Sequence, residues 1–128
     1  ADFPMFRLGD VYLMYAEIVA RGAGGDASTA AGYVNQLRER AFGNSDENIT
    51  AADLTEEFIL DERARELFWE AQRRTDLIRF GKYSGGGYLW PWKGNVKDGT
   101  ATDAKYNLLP IPATDIASNP NLIQNSGY

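Results

Sequence analysis

Residues 62–83 read ERARELFWEAQRRTDLIRFGKY. Charged and large apolar residues alternate through this stretch almost without a gap. Glu62, Glu66 and Glu70 recur at every fourth position, and Arg63, Arg65, Arg73, Arg74 and Arg79 are threaded between them. On a helix this spacing sets three carboxylates on one face, where they repel one another unless cations lie close. Asp61–Arg65 and Glu70–Arg74 have i,i+4 spacing; Glu62–Arg65 and Glu70–Arg73 have i,i+3 spacing. Leu67, Phe68 and Trp69 in the middle imply partial burial. Two chemistries fit: a glycosidase-like carboxylate pair, or an Arg/Glu lattice between helices. Arginine-rich surroundings keep carboxylates ionised and unsuited to act as acids, which favours the lattice. Arg38, Arg40 and Glu17, from two earlier helices, are the expected further members.

Upstream of this stretch, Pro4 suits the first turn of a helix, and from Phe6 to Arg21 the one strong breaker is Gly9. Apolar residues from Phe6 to Ala20 cover nearly the whole circumference of that helix. A helix apolar all round is buried on more than one side, and two further helices can hardly bury it. The expectation is a helix whose neighbours lie outside these residues, or one that buries a face in an oligomer. GAGGDAS then forms a turn in which Asp26 or Ser28 caps a second helix. Ala27, Ala30, Val34, Leu37 and Ala41 make its single apolar stripe. Two helices joined by a short turn are an αα-hairpin, in the style of a tetratricopeptide pair. Thr50 and Asp53 resemble a capping box, with Asp in place of the usual Glu. One helix or two then run from about residue 51 to 80, and Gly81 ends them.

The 128 residues suffice for one domain with a real core. The expected organisation is a single domain: a helical body over 1–82, a Gly/Trp loop over 83–107 and an extended tail over 108–128 packed along that body. The fold class is all-α, a tetratricopeptide-like αα-hairpin plus a long helix, with an irregular, loop-rich C-terminal segment. Net charge is −5 and no basic patch stands apart from acids, which argues against nucleic acid. The sequence contains neither cysteine nor histidine. It therefore has no disulfide, thiolate nucleophile, Ser-His-Asp triad or Cys/His metal site, and no cofactor is implied. DENIT and DGTATD offer loop oxygens without the EF-hand spacing. GAGG and SGGG lack the lysine and context of a phosphate loop. No apolar run is long enough to span a membrane.

The loop motif Tyr88-Leu89-Trp90-Pro91-Trp92 is the candidate for function, with Lys93, Asn95 and Asp98 beside it. Flat aromatic faces stack on the apolar faces of sugars, and their N–H or O–H groups bond to hydroxyls. The other reading is that these rings fold back and seal the core, as most aromatics do. The candidate ligand-binding residues are Tyr88, Trp90, Trp92 and Lys93; no residue is a candidate catalytic group or metal ligand.

Taken in order, FRLGDVYLMYAE, YVNQLRERA, ILDERARELFWEAQRRTDLIRFGKY, YNLLPIP and NPNLIQNSGY resemble the C-terminal region of the SusD/RagB family along nearly all of the chain. Ser126 stands where that family commonly has proline. The resemblance implies a non-enzymatic surface lipoprotein of the outer membrane that binds glycans or other nutrients and passes them to a TonB-dependent porin. It implies a helical, tetratricopeptide-like fold several times longer than this chain, with its lipid anchor upstream of these residues. The sugar-stacking residues of the family's starch-binding member lie largely upstream too, so none is assigned to a position here. The competing readings are a helical scaffold that docks a partner protein and a glycoside hydrolase built on the Glu-rich helix.

Overall fold

Arg7 has extended backbone (φ −143°, ψ 156°) and the chain turns helical immediately after it, forming α1, Leu8–Ala20. The computed structural model describes residues 6–128; Pro4, read as a first-turn residue, lies outside them. Asp26 caps α2, Ala27–Phe42, with its carboxylate accepting from the Thr29 N–H at 2.7 Å. Gly43 ends α2 in the left-handed conformation (φ 76°), which an L side chain adopts at a cost. α1 and α2 form the expected hairpin. Tyr12 stacks on Tyr33 with ring centres 4.5 Å apart, and Tyr15 meets the same ring edge-on. Ala30 and Ala31 are buried, and such small side chains let the two helices approach closely.

The capping box forms as read: Asp53 accepts from both the N–H and the hydroxyl of Thr50, at the start of a 3-10 turn over Ala51–Asp53. α3, Glu56–Glu66, follows, with Thr55 as its cap. The helical stretch over 51–80 is in two pieces, because the chain leaves the helix after Glu66 and re-enters it as α4, Arg73–Arg79. Between them Trp69 (φ 65°) and Ala71 (φ 60°) hold left-handed backbone, which is uncommon for residues other than glycine.

The chain forms two compact units, Ala1–Arg73 and Arg74–Tyr128. The core of the first is Leu13, Ala16, Ala30, Val34, Leu37, Ile59 and Leu67. One face of α1 stays uncovered: Leu8, Val11, Met14 and Ile18 are 44–61% exposed. In the second unit, α4 leads into a structured loop. The tail holds α5, Ala113–Ser118. Among the described residues there is no sheet, only an isolated antiparallel bridge between Gly85 and Thr102. Leu108, Leu109 and Ile123 of the tail are exposed. Side chains fasten the tail internally. The Gln124 amide bonds both the N–H and the carbonyl of Ile111 (2.8 and 2.9 Å), and Asn125 donates to the Leu109 carbonyl. The Tyr128 hydroxyl reaches the carbonyls of Lys105 and Leu108. No helix among the described residues is long and apolar enough to cross a membrane.

Candidate ligand-binding site

The Glu-rich stretch is a lattice. Glu62, 5% exposed, accepts from Arg38 of α2 at 2.9 Å and from Arg65 at 2.6 Å. Glu66 pairs with Arg40 of α2 at 2.6 Å and with Arg7. Arg63, 3% exposed, pairs with Asp10 of α1 at 2.9 Å. Glu17 pairs with Arg21 at 3.0 Å. The break after Glu66 removes the helical register on which the Glu70–Arg73 and Glu70–Arg74 spacings depend. Glu70 takes Arg7 instead, at 2.7–3.0 Å. Sequence spacing gave no signal for Arg7, since it lies more than fifty positions away. Hydrogen bonding from Arg7 holds the Glu70 carboxyl below its ordinary pKa, and Glu70 raises that of Arg7. A glycosidase acid requires the opposite shift.

The loop motif builds a different surface. Gly85 and Thr102 close the loop at its base with an N–H to carbonyl bond of 2.8 Å. Inside it the Trp92 N–H donates to the Val96 carbonyl (3.0 Å), Asn95 to Trp92, and Thr100 to Lys93. These bonds replace the solvation that a loose loop would need. Two glycines are required by the geometry: a Cβ on Gly99 (φ 78°) would lie 2.5 Å from the Trp90 carbonyl, and one on Gly94 (φ 63°) 2.5 Å from the Thr100 methyl. Trp92 itself sits at φ 71°, an unfavourable conformation for a bulky residue, and the residue is 65% exposed.

Trp90, Trp92 and Lys93 share a cleft of about 490 Å³ with Tyr83, Gly94, Asn95, Thr102 and Tyr106. Tyr88 is not in its lining but supports it. The Tyr88 ring lies against that of Trp90, with centres 6.1 Å apart, and its carbonyl accepts from Lys93 Nζ at 2.6 Å. Lys93 is 2% exposed, and its ammonium sits 4.6 Å from the centre of the Trp90 ring. Burial lowers the pKa of this amine. Tyr83 stacks on Trp90 from elsewhere in the cleft. Arg74 lies over Tyr83 and donates to the carbonyls of Tyr106 and Asn107. Tyr83 and Tyr106 were not singled out in the sequence. They stand in FGKY and KYNLLP, outside the Gly/Trp-rich cluster, and only the closing of the loop brings them to it. The cleft can offer flat apolar faces with polar edges, and its lining holds no carboxylate.

The family model that matches this chain is that of the SusD family, over residues 1–128. The chain is 45% identical over 127 residues to the starch-binding protein SusD of Bacteroides thetaiotaomicron, covering 99% of this chain and 22% of that protein. Among solved structures, a SusD superfamily protein from Bacteroides vulgatus matches with a TM-score of 0.71 at 37% identity, over 96% of this chain and 27% of that one. Surface glycan-binding protein A from Bacteroides uniformis matches with a TM-score of 0.68 at 26% identity, over 94% of this chain and 26% of that one. The chain thus spans about a quarter of each of these relatives.

Proposed function

This chain belongs to the SusD family, and on that premise we propose that it is part of a glycan-binding protein that acts by capture rather than catalysis. The protein sits at the surface of the bacterial outer membrane, held by a lipid anchor. It collects oligosaccharide or another nutrient and hands it to a TonB-dependent porin. The observation that carries the binding role is the exposed Trp92 ring at the mouth of a carboxylate-free aromatic cleft. Tyr88, Trp90, Trp92 and Lys93 are its proposed ligand-binding or supporting residues. The pairing of Glu70 with Arg7, which holds that carboxyl below its ordinary pKa, supports binding over hydrolysis, because a carboxyl so held does not protonate a leaving group.

The test is Trp92→Ala in the intact protein, titrated calorimetrically with a glycan panel. Loss of a central aromatic contact lowers affinity about tenfold or more. The exposed ring contributes little to the fold, and melting stays within a degree or two. Unchanged affinity for every glycan would remove the cleft from the binding role. A second reading, a scaffold that docks a protein partner, is favoured by the uncovered apolar stripe of α1. Val11→Glu would then abolish partner capture and leave glycan binding intact.

A further inference from the structure

Buried charges in this molecule follow a rule, with Lys93 as the exception. Asp10, Glu17, Arg38, Glu62, Arg63 and Asp76 are buried to a similar degree, and each has an opposite charge at 2.6–3.0 Å. Lys93 is buried as deeply as any of them and has no carboxylate partner among the described residues. Its ammonium bonds the carbonyls of Tyr88 (2.6 Å) and Lys82 (3.4 Å) and faces the Trp90 ring. An ammonium carries three N–H donors, and its bonds to these two carbonyls account for two of them. An uncompensated buried cation is costly, and such groups tend to occur at functional sites. This one lines the aromatic cleft and is the one charged side chain in that lining.

We propose that the cleft selects an anionic sugar, whose carboxylate or sulfate ester supplies the counter-charge that Lys93 lacks while a pyranose face stacks on Trp92. This rests on the glycan-binding reading above and gives that reading a ligand class. Trp90 plays a different part from Trp92. Its faces are engaged by the Lys93 ammonium and by the Tyr83 and Tyr88 rings, so it holds the cation in place rather than presenting an open platform.

The experiment titrates the intact protein with hexagalacturonate, its fully methyl-esterified form, a sulfated galactan hexasaccharide and neutral maltohexaose. A charge-assisted hydrogen bond in a desolvated cleft is expected to favour an acidic sugar by about tenfold or more. Esterification keeps the ring and removes the charge, so it should abolish the preference in the unmodified protein. The free acid and the sulfated sugar distinguish carboxylate from sulfate ester as the source of the charge. Lys93→Met should abolish the preference for acid over ester, Lys93→Arg should retain it, and Trp92→Ala should weaken every sugar that binds. If maltohexaose binds through Trp92 as tightly as any charged sugar, the ligand class is wrong and the glycan-binding role stands. If Trp92→Ala leaves every affinity unchanged, or no sugar binds, the parent reading fails as well. An equal preference for acid in Lys93→Met would overturn the role of Lys93. Where Lys93→Met does not fold, the acid-to-ester ratio of the unmodified protein decides.

Discussion

Glu62 and Glu66 each hold two arginines, and in both cases one of them comes from α2. Such pairs lock helices in one register more than they add net stability, because desolvation offsets much of the Coulomb gain. The asymmetry appears on mutation. Arg38→Met leaves Glu62 buried against Arg65 alone, and Glu62→Gln leaves Arg38 with only the peripheral Glu47; each should destabilise the first unit by about 1–3 kcal/mol, read by urea denaturation. Unchanged midpoints would mean that the lattice is ornamental. Glu70 gives a pH-dependent prediction. Arg7 holds its folded pKa below the ordinary 4.5. The resulting stabilisation is therefore fully present above about pH 4.5 and is lost as pH falls through the folded value. Glu70→Gln should lower stability at pH 7, and the gap from the parent protein should narrow on titration towards pH 3. A constant gap across that range would exclude the linkage.

At the scale of elements, the loop over 85–102 depends on its two tight glycines. Gly99→Ala places a methyl against the Trp90 carbonyl in left-handed backbone. The conformation alone costs about 1–2 kcal/mol, and the clash adds to it. The expected result is a weaker near-ultraviolet tryptophan signal and faster proteolysis within the loop, with the α-helical signal retained. What the sequence made legible here was local. The Asp26 cap, the Thr50–Asp53 box and the Gly81 stop all rest on neighbours within four positions, where side-chain chemistry determines backbone shape, and the hairpin follows from two periodic stretches joined by a short turn. The break after Glu66 was not legible. Trp69 and Ala71 are poor residues for left-handed backbone, and no glycine or proline marks the spot. The same limit applies to the candidate cleft. Its Trp90, Trp92 and Lys93 could be named from composition, whereas Tyr83 and Tyr106 join it through a chain reversal that no periodicity encodes.

For the molecule as a whole, the uncovered face of α1 sets solution behaviour. Leu8, Val11, Met14 and Ile18 fall at helical spacing, and each is close to half exposed or more. The 128-residue chain taken by itself should self-associate through this stripe, giving a light-scattering mass above that of one chain. Met14→Glu should return it to a monomer without loss of helix. The nearly all-round apolar surface of the helix made the uncovered face legible in the sequence, whereas what covers that face is a long-range property that α1 does not encode. The tail carries the opposite lesson. Leu108 has extended backbone, and Leu108 and Leu109 are turned to solvent, a combination that ordinarily invites another chain to add itself as a strand. Here most of the adhesive backbone groups are already taken. Gln124 occupies the N–H and the carbonyl of Ile111, Asn125 and Tyr128 occupy the carbonyls of Leu109 and Leu108, and Pro110 and Pro112 have no N–H to offer. The side chains of Gln124, Asn125 and Tyr128 thus act as a fitted cover over these backbone groups. Gln124→Ala should reveal itself first in hydrogen exchange, as faster exchange of the Ile111 amide in a protein that still melts cooperatively.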